Sequence, residues 1–117
     1  MAEDLKQQMQ ELIRPLFPHD ALVQVAERGG EVVFAAGWRL GPNRMDNWSK
    51  EIRLVIPPAV TERFAKLNDK GRSKARANLV SFVKLKLADF RPEHDHPRYL
   101  LPPQEVWRVT FEDVFPR

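Results

Sequence analysis

The chain of 117 residues contains no cysteine. It can therefore form no disulfide, no thiolate-bound zinc site and no cysteine-based active site. Glycine is also scarce, and its five residues do not form the glycine-rich loop that cradles phosphate groups. No apolar run approaches the roughly 18 residues that a membrane-spanning helix needs. These absences, together with a polar and acidic N-terminus, predict a cytoplasmic protein without a membrane partner.

Apolar residues are numerous enough for a folded core. Leu, Ile, Val and Phe supply 33 of the 117 residues, well above the share of roughly 20% below which disorder is expected. The length predicts one domain over residues 1–117. Hydroxyl side chains are few, and none lies in the glycine-flanked elbow of a nucleophilic serine. Nothing in these residues indicates an enzyme.

The spacing of the apolar residues predicts seven elements. Helices are predicted at about 3–14, 58–68 and 73–89. Strands are predicted at about 21–27, 31–40, 48–56 and 104–111. The order α-β-β-β-α-α-β predicts an α+β fold with two layers, in which helices cover one face of a four-stranded, mainly antiparallel sheet.

Three local patterns refine these elements. Gly29 and Gly30 can adopt the positive φ of a tight hairpin turn, and Ser73 is a candidate N-cap for the last helix. The segment 83–87 alternates between apolar residues and lysine, as a strand would. We assign it to the helix because the preceding residues favour helix and nothing interrupts them. The last strand is expected to direct Trp107, Val109 and Phe111 inward.

The positive charge is concentrated in one segment. The whole chain carries a net charge of +3, whereas residues 61–90 hold eight basic and three acidic residues, a net charge of +5. A candidate nucleic-acid site lies at the predicted turn and helix start, where such side chains could contact phosphates. Its residues are Lys70, Arg72, Lys74 and Arg76. The alternative is a solvated basic surface of the helix, on which the Arg76 side chain lies along the row of apolar residues that faces the core.

The same segment resembles part of a known RNA-binding family. The order helix-strand-strand-strand-helix, with the residues GRSKARA at 71–77, resembles a double-stranded-RNA-binding domain. The resemblance implies that a glycine, a serine and a basic cluster open the last helix and contact phosphates. The chain departs from the family at Ala75 and Asn78, where that family has basic residues, and at the insertion 57–71. It also continues into a further strand.

The second candidate site is the face of the sheet opposite the helices. The second strand has small side chains on that face, including Ala35 and Gly37, which would let a partner pack closely. Arginine and tryptophan dominate binding hot spots. The partner-binding candidates on this face are Arg39, Arg53 and Arg108. Trp48 is a further candidate, beside the polar loop before the third strand, although alternation places it on the side of Ile52. The alternative is that Trp48 only begins the strand and covers the sheet edge. The sequence therefore predicts a protein-interaction or regulatory module, which uses this face or an unpaired strand edge to bind another protein or a second copy.

One pattern resembles metal ligands. His94 and His96 flank Asp95, and imidazole and carboxylate groups suit zinc, nickel or iron. A site needs at least three ligands, however, and no third ligand is fixed. Because prolines bracket the segment, we interpret it as a rigid, solvated loop. The sequence therefore predicts no metal and no cofactor.

Overall fold

The computed structural model describes residues 2–40, 48–95 and 100–116. Its four strands form one sheet in the order β1 (Leu22–Arg28), β2 (Glu31–Gly37), β3 (Glu51–Ile56) and β4 (Gln104–Arg108). The helices are α1 (Ala2–Ile13), α2 (Pro58–Ala65), α3 (Asp69–Asp89) and α4 (Phe111–Val114), with a 3-10 turn at Arg14–Leu16. Strands β1, β2 and β3 pair antiparallel, and β4 pairs parallel with β3. The predicted α+β fold and its element order are confirmed.

The core lies against one face of the sheet. In β2 and β3 every second residue is buried, namely Val32, Phe34, Ala36, Ile52, Leu54 and Ile56. The registers align these residues across the two strands. Met9 and Ile13 of α1, Val60 and Phe64 of α2, and Leu79 and Val83 of α3 belong to the same buried cluster. Within the described ranges, none of the helices has the length and apolar content that a membrane span requires.

The glycine turn joins the sheet to α2. Gly29 and Gly30 have φ of +60° and +87°, as the two-residue hairpin turn requires. Thr61, which is 1% exposed, donates its hydroxyl to the Gly30 carbonyl oxygen at 2.6 Å. Pro57 is the N-cap residue of α2, and Pro58 occupies its first turn, where a missing N–H costs nothing. The first hairpin and the next helix are thus fixed to each other.

The predicted start of the long helix was wrong. The helix α3 begins at Asp69, and its N-cap is Asn68, whose side chain accepts from the Gly71 amide. Asn and Gly at 68 and 71 therefore cap and open the helix instead of forming a separate turn. Ser73 is not the N-cap. The helix continues to Asp89, so residues 83–87 are helical, as assigned.

The last predicted strand is shorter than expected. It ends at Arg108, and Thr110 caps α4 through a reciprocal pair of bonds with Asp113. Trp107 and Val109 are buried as predicted, whereas Phe111 begins α4 and is 43% exposed. The capping bonds satisfy backbone groups that a longer strand would have needed to pair. The predicted inward position of Phe111 was wrong for this reason.

Candidate interaction surfaces

The second face of the sheet contains no buried residue within the described parts of the chain. We call this the open face. The registers place it on fourteen residues: Leu22, Gln24, Ala26, Arg28, Glu31, Val33, Ala35, Gly37, Glu51, Arg53, Val55, Gln104, Val106 and Arg108. It mixes apolar residues with charged ones: Arg53 lies between Ala35 and Val106, and Leu22 lies at one end. Leu22 and Val106, at opposite edges, are 64% and 45% exposed.

Two of the predicted partner-binding arginines are neighbours on the open face. Arg53 pairs with Val106, and Val55 pairs with Arg108, so the two arginines are diagonal neighbours across β3 and β4. The side chain of Arg53 is 42% exposed and forms an ion pair of 3.2 Å with Glu51. Its Nε is buried and has no hydrogen-bond partner.

The other two candidates lie beyond the ends of β2 and β3. Arg39 and Trp48 form an isolated antiparallel bridge, and the Arg39 guanidinium lies 5.7 Å from the centre of the Trp48 ring. The predicted strands 31–40 and 48–56 are therefore interrupted before this bridge. Both interruptions have the same origin, which is an irregularity in the pairing of β2 with β3.

That irregularity is a bulge on the β3 side. From Ala36↔Ile52 to Arg39↔Trp48 the first strand advances three residues and the second recedes four. Such an extra residue bends a strand and re-aims its side chains. The buried Ser49 hydroxyl accepts from the Trp38 amide at 3.0 Å, which holds the bulge in place. Nothing in the residue pattern predicts the bulge.

A groove of about 270 Å³ opens beside Trp48. We call it the Trp48 groove. Ala35 and Gly37, the small residues noted in the sequence, lie within it, together with Leu22 and Trp48. Its remaining lining residues are Gln24, Ala36, Ser49, Glu51 and Pro102. The groove is therefore mainly apolar, with the Glu51 carboxylate as its one charged group among the described residues.

A cluster of aromatic rings supports this end of the sheet from the core side. The Phe90 ring contacts the rings of Trp38 and Trp107 edge to face, at centroid distances of 5.5 and 5.8 Å. Beyond Phe90 the chain returns to the bulge, because the Lys50 amide donates to the Pro92 carbonyl at 2.9 Å. A ring nitrogen of His94 lies 2.8 Å from the Trp48 carbonyl oxygen. The backbone beside the Trp48 groove is thus held from both sides.

The predicted basic site is divided by the structure. Arg72 donates to the carbonyl oxygens of Phe64 and Ala65, at the end of α2. The guanidinium groups of Arg72 and Arg76 each lie 5.8 Å from the centre of the Phe64 ring. Lys70 and Lys74, in contrast, are exposed. The two arginines therefore join α3 to α2, and only the two lysines project freely into solvent.

The predicted loop site contributes no ligand set within the described residues. His94 contacts the Trp48 carbonyl, and His96 lies outside the described residues. No group of three or more metal-ligating side chains occurs among the residues described. A larger concavity of about 610 Å³ runs along α1, lined by Lys6, Gln7, Gln10, Glu11, Arg14 and Pro15.

Because of the bulge, Trp48 lines a groove on the open face, and not the side of Ile52 that alternation predicts. Arg72 and Arg76 contact Phe64 of α2. Leu22 and Val106 are additions that sequence reasoning missed. The alternation in the sequence places both residues on this face of the sheet. How exposed they are depends on whether β1 and β4 lie at the edges of the sheet, which the sequence does not reveal. Comparison of the chain with models of known protein families, with curated proteins and with solved structures gives no match.

Proposed function

We propose that this protein is a protein-interaction module that binds its partner on the open face of the sheet. The observation that carries the proposal is the exposure of apolar residues on that face, Leu22 and Val106 above all, beside the mainly apolar Trp48 groove. Leu22 alone is 64% exposed, although a leucine stabilises a fold only where it leaves water. A contiguous apolar surface with a polar rim is typical of a binding site.

The charges around these apolar residues indicate the chemistry of the partner. Arg53 and Arg108 lie beside the apolar residues Val55 and Val106. A matching surface would insert an aliphatic or aromatic side chain into the Trp48 groove and place carboxylates over these two arginines. Arginine favours such contacts because its planar fork binds a carboxylate through two parallel bonds. The partner we propose is therefore a protein segment with apolar and acidic side chains.

Paired charge variants test this function. The tagged full chain is incubated with an extract of its source cells, and retained proteins are compared between Leu22→Glu and Leu85→Glu. Leu85 is the matched control, because it is 70% exposed on α3 and lies away from the open face. A partner of the open face must bind the wild type and the Leu85 variant and be lost from the Leu22 variant. If both variants retain the same proteins in equal amounts, the open face is not the binding site.

A second candidate function is nucleic-acid binding near the start of α3. The observation that favours it is the exposure of Arg63, Lys66, Lys70 and Lys74 around the connection between α2 and α3. Four exposed cations could neutralise several phosphates and release their counterions. Against it, Arg72 and Arg76 already contact Phe64.

A salt titration separates the second function from the first. Binding of short double-stranded RNA and DNA is measured for the wild type, for Lys70→Glu/Lys74→Glu and for Lys84→Glu, an exposed control later in α3. Phosphate contacts predict an affinity that falls steeply with salt and is lost in the double variant alone. Affinity that is absent at low salt, or insensitive to the double variant, would rule out this site.

A further inference from the structure

The outer edge of β1 is unpaired within the described residues, because β1 is a terminal strand of the sheet. Its seven residues pair with β2 in one unbroken register from Leu22↔Gly37 to Arg28↔Glu31. The strand contains no proline, lysine or bulge, which are among the devices that prevent an edge from pairing with another chain, and its charged residues, Glu27 and Arg28, are confined to its last two positions. The opposite edge strand, β4, is shorter and has five residues.

The hairpin geometry determines which backbone groups of β1 are free. A two-residue turn closes on a hydrogen-bonded pair, here Arg28 and Glu31. Hydrogen-bonded and non-bonded pairs then alternate along an antiparallel ladder. Val23, Val25 and Glu27 therefore direct their N–H and C=O groups away from β2. These are the groups that a further strand would bind.

We propose that two copies of the chain pair antiparallel through β1, about a two-fold axis at Gln24. In this register Val23 lies opposite the partner's Val25, and each pair exchanges two backbone hydrogen bonds. Leu22 lies opposite the partner's Ala26, and Gln24 lies opposite the partner's Gln24. The exposed Leu22 side chain thus gains an apolar neighbour, and the two amides can bond to each other.

The charges favour this register over the next one that the backbone allows. An axis at Val25 would place Leu22 opposite the partner's Arg28 and Val23 opposite the partner's Glu27, so that apolar and charged groups would meet. The axis at Gln24 places only Glu27 opposite an apolar residue, the partner's Ala21. It also brings Arg28 towards the partner's Asp20, which lies in the turn before β1. Both residues are exposed, and the symmetry repeats this complementary pair at the other end of the interface.

The pairing would extend the sheet to eight strands. Because the axis is perpendicular to the sheet, both open faces lie on the same side and both helical layers lie on the other. The inference goes beyond the proposed function, since it uses the backbone of an edge. Leu22 and the other open-face residues of β1 contact the second copy, whereas the open-face residues of β2, β3 and β4 remain available to another partner. Either one can fail without the other.

A single-cysteine crosslink tests the pairing and its register. The chain has no cysteine, so Gln24→Cys introduces one thiol at the proposed axis. Non-bonded antiparallel neighbours have Cα atoms about 4.5 Å apart, a separation that a disulfide can span. Ala26→Cys is the matched control, exposed on the same strand and face. Its thiol would be roughly 13 Å from the partner's, because it lies four residues out of register.

The proposal predicts a wild-type mass of twice the chain at about 0.1 mM, measured by sedimentation equilibrium. Under mild oxidation it predicts that Gln24→Cys forms a covalent dimer at least about tenfold faster than Ala26→Cys. A monomeric wild type, or equal rates for the two cysteine variants, would overturn it. Both substitutions are at exposed positions, and circular dichroism is used to check that each variant is folded. Retention of the open-face partner by either variant is measured separately.

Discussion

The hydroxyl of Thr61 donates to the carbonyl oxygen of Gly30 across 2.6 Å, although the two residues are 31 positions apart in the chain. The same hydroxyl lies 3.1 Å from the Pro58 carbonyl oxygen. Thr61 is one of two buried polar side chains among the described residues, the other being Ser49. Each of these hydroxyls holds a connection beside the sheet, one at the hairpin turn and one at the bulge.

Thr61→Val should destabilise the fold by about 1–2 kcal/mol, because it keeps the side-chain shape and removes the bond to Gly30. The free energy of unfolding is measured by urea denaturation, with the slope of the transition compared to detect any change in the unfolded state. Thr61→Ser is the control, since it keeps the hydroxyl and should recover most of the loss. A Thr61→Val variant as stable as the wild type, together with a loss in Thr61→Ser, would mean that methyl packing, and not the hydrogen bond, stabilises this contact.

The two turn glycines should differ in their tolerance of a side chain. A Cβ on Gly29 would meet nothing within 4 Å, whereas one on Gly30 would lie 3.3 Å from the Pro58 Cβ. Gly29→Ala should therefore cost about 1 kcal/mol for the positive φ alone. Gly30→Ala should cost roughly 2 kcal/mol or more, because crowding adds to the same backbone strain.

Thermal and urea unfolding measure both glycine variants. Gly29→Asn is the matched control, since asparagine tolerates the left-handed region better than alanine. It should lie close to the wild type in stability. A Gly30→Ala variant as stable as Gly29→Ala would show that α2 moves away from the turn at little cost.

The course of the chain was predictable wherever one pattern determined one element. Alternation in β2 and β3 identified the buried residues, because each strand has one face against the core. Residues 83–87 alternate as a strand would, but they follow residues that favour helix. They are helical because the helix that begins at Asp69 continues through them. The end of β4 was not predicted, because the capping bonds of Thr110 compete locally with strand pairing.

The candidate surfaces were predictable only in part, since a cation's role depends on what lies within its reach. Arg72 and Lys74 have the same sign and lie on the same helix, yet only Arg72 reaches the carbonyls at the end of α2. The bulge beside Ser49 likewise follows from pairing between distant segments. Residue patterns therefore located both surfaces and could not assign each side chain to folding or to binding.

Exchanging the two charges proposed to meet across the β1 edge should weaken and then restore self-association. Asp20→Arg would place like charges together at both ends of the interface and should weaken the dimer by about tenfold. The double variant Asp20→Arg/Arg28→Asp restores opposite charges and should recover affinity. Sedimentation at low and high salt measures the effect, which should shrink as salt screens the charges.

Arg72 and Lys74 should separate the stability of the α2–α3 connection from any role in binding. Arg72→Met removes two hydrogen bonds to α2 and the cation over the Phe64 ring, and should destabilise the fold by about 1–2 kcal/mol. Lys74→Met changes an exposed side chain and should alter stability by less than about 0.5 kcal/mol. Urea denaturation provides both values.

In a nucleic-acid binding assay we expect different effects on affinity from the Arg72→Met and Lys74→Met variants. If phosphates bind at the start of α3, Lys74→Met should lower the affinity for double-stranded RNA and reduce its salt dependence, because it removes a free cation. Arg72→Met should leave the affinity nearly unchanged as long as the protein is folded, because its guanidinium is already bonded to Phe64 and Ala65. The reverse pattern, with binding lost through Arg72, would mean that this arginine leaves α2 to contact the phosphates.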